Sequence, residues 1–261
     1  MIIKLRSVYD SFPEKYGESD KQINFYVDNN VYYMENVDIH EENTIALLVE
    51  PRAIIPGTYD WIEQNYHKFK YVFSFDEDIL KLPNAELLLY GQITAEFPED
   101  PKDKIISMVA SGKDFCEGHR NRNMIAHMLK GKIDTFGKFD GGEYCNDDAY
   151  LKGYMFNVAM ENSSNGYYFT EKICNCFASK IVPIYWGCPN IDKYFDINGI
   201  IFCRNNEDIF AAVDMVLADP EGEYRKRKLS IERNYNTVQM YRRYADLFLR
   251  TYGDLLEDMV K

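Results

Sequence analysis

Apolar runs of about six residues, each closing on a polar loop and followed by helical periodicity, recur along this chain. Thr44-Ile45-Ala46-Leu47-Leu48-Val49 is continuous enough for a parallel strand buried on both faces, and Glu50-Pro51-Arg52 ends it. Residues 57–68 read as a helix and Tyr71-Val72-Phe73-Ser74-Phe75 as the next strand, closed by the acids Asp76-Glu77-Asp78. Upstream, residues 2–6 can form a strand. Residues 23–40 read as strand-rich, with Asp28-Asn29-Asn30 as a turn between the runs 23–27 and 31–34. Residues 80–103 are loop-rich, carrying Pro83, Pro98 and Pro101, with one further short strand over 86–90.

The same rhythm resumes at Lys104-Ile105-Ile106-Ser107-Met108-Val109, a buried strand. A polar loop with Gly112 and Gly118 leads to a helix over about 120–130, then a strand-like stretch over 133–137 and a break at Gly141-Gly142. Residues 147–152 read as a short helix. The apolar run 155–160 enters a polar loop, a helix over 172–179 leaves it, and a second apolar run over 181–186 follows at once. Pro189 can open a short helix, 199–203 reads as a strand, and Ile209, Phe210, Val213 and Met215 to Leu217 give 207–217 helical spacing. The rest is helical, charged and aromatic.

Strands alternating with helices in both halves mean α/β with mainly parallel sheets. Glu99-Asp100-Pro101-Lys102-Asp103 is the best linker. Two Rossmann-like domains facing a cleft follow, over 1–100 and 101–261. The chain has no G-x-G-x-x-G in the right context.

Composition narrows the function. A hydrophobic share of 46% across 261 residues is ample for a core, and a formal net charge of -12 disfavours a nucleic-acid partner, which calls for a basic footprint. The start of the chain has no signal-peptide pattern, and no stretch reaches the roughly 20 apolar residues that span a bilayer. A cytoplasmic protein is expected. The six cysteines read as free thiols in a reducing compartment. Cys174-Asn175-Cys176 lies on a helix, where the two side chains diverge by about 200° and cannot share a metal. Tyr224-Arg225-Lys226-Arg227-Lys228 and Tyr241-Arg242-Arg243-Tyr244 mix basic and aromatic residues that could touch an anionic membrane surface; the simpler reading is a solvated helix face.

The candidate site is the loop Glu161-Asn162-Ser163-Ser164-Asn165-Gly166-Tyr167-Tyr168-Phe169-Thr170-Glu171-Lys172. Polar residues at the C-terminal end of a parallel strand are where open α/β sheets bind ligands. Glu161, Asn162, Asn165 and Glu171 offer acceptors, Tyr167 and Tyr168 rings, Lys172 a cation, and Thr170 a cap for the next helix. A helix N-terminus suits a phosphate, Glu171 a ribose diol, and Lys172 a diphosphate. The plain alternative is a capped surface helix with a solvated Glu-Lys pair.

The stretch from Glu161-Asn162 to Tyr168-Phe169-Thr170-Glu171-Lys172, followed by Ile181-Val182-Pro183-Ile184-Tyr185-Trp186-Gly187-Cys188-Pro189, closely resembles the donor-binding signature of the family 10 glycosyltransferases. These are the α-1,3/1,4-fucosyltransferases, and the resemblance covers roughly residues 105–205. It implies the GT-B fold, with an acceptor-side N-terminal domain and a nucleotide-sugar-binding C-terminal one. By position, Lys172 resembles the lysine on the donor diphosphate and Glu171 the glutamate on the ribose, while Asn162 and Tyr168 match donor-contacting positions. The family places a phosphate-binding arginine on an upstream helix. Arg122 fits best, with Arg120 the close alternative.

The resemblance also implies inverting transfer of L-fucose from GDP-fucose to a glycan hydroxyl, as in glycan biosynthesis and protein glycosylation. The base is then a glutamate just after a strand of the N-terminal domain, the setting of Glu50, with Asp76 and Glu77 as competing carboxylates. Tyr71 to Glu77 resembles the family's Y-x-x-x-F-D/E segment and supports that register. No metal or other cofactor is required, since Arg122, Lys172 and helix N-termini can stabilise the leaving diphosphate; a divalent cation could still stimulate. The short N-terminal half and the lack of an anchor resemble bacterial or viral members, acting in the cytoplasm or at a membrane periphery. Two alternatives stay open: another nucleotide sugar on the same fold, or a non-catalytic nucleotide-sugar-binding protein.

Overall fold

The computed structural model describes residues 1–7, 12–36, 43–97, 99–146 and 149–261. They form two compact units, the first comprising Met1–Tyr90, Asn165–Tyr168 and Arg243–Lys261, the second Gly91–Ser164 and Phe169–Arg242. In the first, strands β1 (Ile2–Arg6), β2 (Gln22–Val27) and β3 (Thr44–Leu47) are followed by helix α1 (Pro56–Asn65), β4 (Tyr71–Ser74) and β5 (Ala85–Leu87). All neighbours are parallel and the spatial order is the chain order.

The second run of residues 23–40 departs from the strand expected there. Residues Asp28–Met34 form a 3-10 helix, and residues 37–40 lie outside the described part of the chain. Val31 and Met34 are buried while Tyr32 and Tyr33 are exposed. That is an i, i+3 pattern, which suits three residues per turn rather than the alternation of a strand.

The second unit contains β6 (Lys104–Val109), α2 (Glu117–Leu129), β7 (Asp134–Phe136), β8 (Tyr154–Met160), α3 (Glu171–Ala178), β9 (Val182–Trp186), β10 (Ile201–Phe202), α4 (Asn206–Ala218), α5 (Pro220–Lys226) and α6 (Lys228–Val238). Its sheet is parallel throughout, in the order β10-β9-β8-β6-β7. The chain lays β7 on one side of β6 and then β8 on the other, so the switch point lies between β6 and β8. Ile106, Met108, Phe156, Val158, Val182 and Ile184 of the sheet form the core with Ile125, Leu129, Ile209 and Val213 of α2 and α4. The short helix expected over 147–152 is not formed: residues 149–153 are turns, and 147 and 148 lie outside the described residues.

The last helix, α7 (Tyr244–Met259), is counted with the first unit rather than with the 101–261 segment. Its apolar face explains this. Tyr244, Phe248, Leu249 and Leu256 are buried with Phe25, Ile45, Leu47 and Phe73, and the Phe248 ring lies 4.7 Å from that of Phe73. The basic-aromatic stretches do not present their rings outward. Tyr241 and Tyr244 are buried, the Tyr224 hydroxyl donates to the Lys180 carbonyl, and Arg227 and Arg242 pair with Glu223 and Glu96. Among the described residues no helix is long and apolar enough to cross a membrane.

Candidate donor site

The loops leaving β6 and β8 flank the switch point of the second sheet, the place where open α/β sheets bind ligands. Glu161 directly follows β8, and its backbone N–H extends the ladder to the Trp186 carbonyl at 2.9 Å. Its carboxylate is fully buried and turned inward. It accepts from the Thr170 N–H at 2.9 Å and the Thr170 hydroxyl at 2.7 Å, with the Tyr185 hydroxyl at 3.4 Å. Glu161 therefore braces the two ends of the loop instead of facing a ligand. Burial pushes its carboxyl above the ordinary range, against the opposing pull of Lys172.

That brace places the start of α3. Thr170 is its N-cap, its hydroxyl accepting from the Lys172 backbone N–H and from Lys172 Nζ at 3.1 Å. Lys172 Nζ also pairs with Glu171 at 2.9 Å and approaches Glu161 Oε2 at 3.6 Å. Burial opposes every charge here. The attraction wins for the pair: Glu171 is held below the usual carboxylate range by Lys172, and Lys172 above the usual amine range by Glu171 and Glu161.

The structure separates the two candidate arginines. Arg122 is buried on α2, its Nη1 donating to the Met160 carbonyl at 2.9 Å and to Asn162 Oδ1 at 3.1 Å. Arg120 is exposed and donates to the Asp114 carbonyl at 3.0 Å. The first turn of α2 lies directly on the loop. A Cβ on Gly118 would come within 2.2 Å of the Asn162 carbonyl oxygen, so only glycine permits that approach. The N-cap of α2, Cys116, makes no side-chain capping bond, unlike Thr170 on α3. With Arg122, Lys172 and an uncapped helix N-terminus in one unit, the arrangement can bind an anion of diphosphate size.

Arg122, Asn162, Glu171 and Lys172 are thus brought together in the second unit. Tyr168 is not grouped with them. It belongs to the first unit by its packing, is 2% exposed, and its ring centroid lies 4.6 Å from that of Phe75. Glu50 also belongs to the first unit, in the loop after β3. Its backbone N–H donates to Asp28 Oδ1 at 3.1 Å, the Val49 N–H to the same oxygen at 2.8 Å, and the Tyr59 hydroxyl donates to the Glu50 carbonyl at 2.9 Å. Asp28 sits at φ +50. Burial pushes its carboxyl up to about 7 against those two N–H bonds, and the Glu50 charge adds to the rise. Of the competing carboxylates, Asp76 is already committed. It takes two bonds from Arg52, at 3.0 and 3.1 Å, and the N–H groups of Asp78 and Ile79. Glu77 is exposed.

The sequence motifs did not mark Asp28, which reads only as a turn residue, or His119, which lies one turn before Arg122 on α2. Among the described residues no three His, Cys, Asp or Glu side chains converge as a metal site requires, and no disulfide joins any of the six cysteines.

Residues 100–214 match the family model described as glycosyltransferase family 10 (fucosyltransferase) C-term. The chain is also 32% identical over 71 residues to the alpha-(1,3)-fucosyltransferase FucT of Helicobacter pylori, a match that spans 27% of this chain and 15% of that relative. Among solved structures, an alpha1,3-fucosyltransferase with GDP aligns with a TM-score of 0.50 at 16% identity over 79% of each chain. TarM aligns at 0.61 and 12% identity, over 90% of this chain and 54% of that one. Sucrose-phosphate synthase from Thermosynechococcus elongatus aligns at 0.60 and 12%, over 91% and 74%. At these identities the structural likeness shows the fold, which is GT-B. The chain thus has the GT-B fold, and its residues 100–214 are similar to the C-terminal region of the family 10 glycosyltransferases.

Proposed function

We propose that the chain is an inverting glycosyltransferase that moves L-fucose from GDP-fucose to a hydroxyl of a glycan. The reading is carried by two linked pairs, Arg122 with Asn162 against the first turn of α2 and Lys172 with Glu171 at the start of α3, with the Arg122 charge acting on Lys172, inside the region that matches the family model. The H. pylori relative and the neighbour solved with GDP point to the donor.

In this scheme Glu50 takes the proton of the acceptor hydroxyl as its oxygen bonds to the anomeric carbon. The bond from that carbon to the diphosphate oxygen breaks, and its electron pair leaves with GDP. Arg122 and Lys172 meet the charge that develops on the leaving diphosphate, and Glu171 hydrogen-bonds the ribose. These cations can do this work with no required cofactor; a divalent cation could add to it. Tyr168 then acts as the wall of a packed loop that borders the donor.

A second reading keeps the same site with a different nucleotide sugar, because the four grouped residues address diphosphate and ribose rather than base or hexose. A thermal-shift panel of GDP, UDP, GDP-fucose and GDP-mannose decides between them. A ligand at about 100 times its Kd stabilises by about 2.7 kcal/mol, or roughly 5–10 °C for a chain of this size. The expected result is a rise of that order with GDP and GDP-fucose and none with UDP. Stabilisation by UDP and none by GDP would rule out the fucosyl donor.

A further inference from the structure

His119 is 3% exposed, and its Nδ1 has no hydrogen-bond partner among the described residues. A buried polar atom left without a partner is uncommon and calls for a cause. The ring is walled by Phe115, edge-on at 5.8 Å. The charges that act on it most strongly are positive: Arg122 on α2 itself, Lys113 from the loop before α2 and Lys172 from α3. The Asn162 side chain, from the loop after β8, also meets the imidazole and favours its protonated form. Glu171, the acid that opens α3, is already engaged by Lys172. Burial and the three cations together hold the ring neutral, down to about 4. An uncapped helix N-terminus, three cations and an imidazole with an unfilled nitrogen share one feature. All would be better satisfied with an anion in place.

We propose that His119 is part of the diphosphate site and takes up a proton when a nucleoside-diphosphate sugar binds. This rests on the donor site proposed above. A diphosphate set against Arg122 and Lys172 cancels the positive field that now disfavours the imidazolium, and it adds an attraction of the opposite sign. The ring then joins Arg122 and Lys172 as a third positive charge behind the leaving group. The direction of the linkage is fixed by the two states. The bound form holds more protons than the free form between the free and bound pKa values, so donor affinity rises as pH falls through that window. A rise of about one pH unit in the ring's pKa corresponds to about tenfold tighter binding below both values.

Histidine ring NMR tests this directly. The chain has four histidines, and the His119→Gln variant assigns the signal. GDP-fucose is the probe because its diphosphate is esterified at both ends and has no proton that titrates near neutrality, so any proton taken up belongs to the protein. Titrating from pH 8 to 4.5 with and without saturating GDP-fucose, the His119 ring should stay neutral to below about pH 5 in the free protein. It should protonate at least about one pH unit higher in the complex. Calorimetric Kd values should tighten by about threefold between pH 8 and pH 4.5 in the native chain, the share of the tenfold that is reached before the free ring itself protonates, and this tightening should be absent from His119→Gln. A ring that titrates near its ordinary value in the free protein, or whose titration GDP-fucose does not move, overturns the inference and leaves the donor site standing. Failure of GDP-fucose to bind at any pH overturns the donor site, and the inference with it.

Discussion

Glu50→Gln is expected to lower the rate of glycosyl transfer by about 10²- to 10⁴-fold, the usual worth of a general base. Glutamine keeps the shape of the side chain but cannot take the acceptor proton. The segment that carries it is held by backbone bonds that the substitution does not touch: the Val49 and Glu50 N–H groups on Asp28 and the Tyr59 hydroxyl on the Glu50 carbonyl. Thermal stability should therefore change little, and the loss should appear in kcat. The rate is measured as acceptor-dependent GDP release, alongside the melting temperature. Asp76 provides a contrast, because it holds Arg52 and the turn at 78–79. Its replacement should lower stability first. A Glu50→Gln enzyme with native kcat would remove Glu50 as the base and return attention to Glu77.

Lys172→Met should cost both stability and nucleotide binding. The amine is paired with Glu171 and lies 3.6 Å from the fully buried Glu161. Breaking a buried pair from one side costs about 3–5 kcal/mol, because the remaining charge stays uncompensated. Lys172 keeps some exposure, with 20% of its side chain accessible, so the lower end applies. That corresponds to a melting temperature lower by roughly 6–12 °C. Loss of the charge-assisted contact to the diphosphate should weaken GDP by about 10- to 100-fold. The pH dependence has a definite sign. Lys172 holds Glu171 below the usual range, so this stability is present above the unfolded carboxylate pKa and lost as pH falls through the lowered one. In the variant both acids are eased by protonation, and the stability gap to the native chain should narrow from pH 8 to pH 5. Denaturation at the two pH values, with GDP calorimetry, checks both parts. A gap that widens in acid would show that Lys172 is not what keeps Glu171 ionised.

Much of the second unit could be read from its residues because the information is local. Lys104 to Val109 is a strand at the expected bounds, and the run into and out of the Glu161–Lys172 loop folds as strand, loop, helix and strand as its periodicity implies. Asn162, Glu171 and Lys172 lie within one contiguous motif whose second end the Thr170 cap fixes, whereas Tyr168 of the same motif packs with the first unit and Arg122 comes from α2. The features that escaped depend on contacts distant in sequence. Asp28 reads as a turn residue until its carboxylate is seen holding N–H groups 21 and 22 residues later. His119 gains meaning only from Lys172 and Asn162, which a different loop supplies. Val31 to Met34 was ambiguous for another reason. Four residues with apolar ends fit both a short strand and one turn of 3-10 helix, and burial of the i, i+3 pair decided it. The final helix shows the helical period plainly, but periodicity does not say which unit its apolar face completes.

If α2 and the start of α3 hold the diphosphate of a nucleotide, a crystal structure with GDP will show it. Phosphate oxygens are expected at hydrogen-bonding distance, about 2.7–3.2 Å, from Lys172 Nζ and the Arg122 guanidinium, at the N-terminal turn of α2. Its ribose hydroxyls should meet the Glu171 carboxylate. GDP bound elsewhere, with its diphosphate in contact with neither Arg122 nor Lys172, would contradict it.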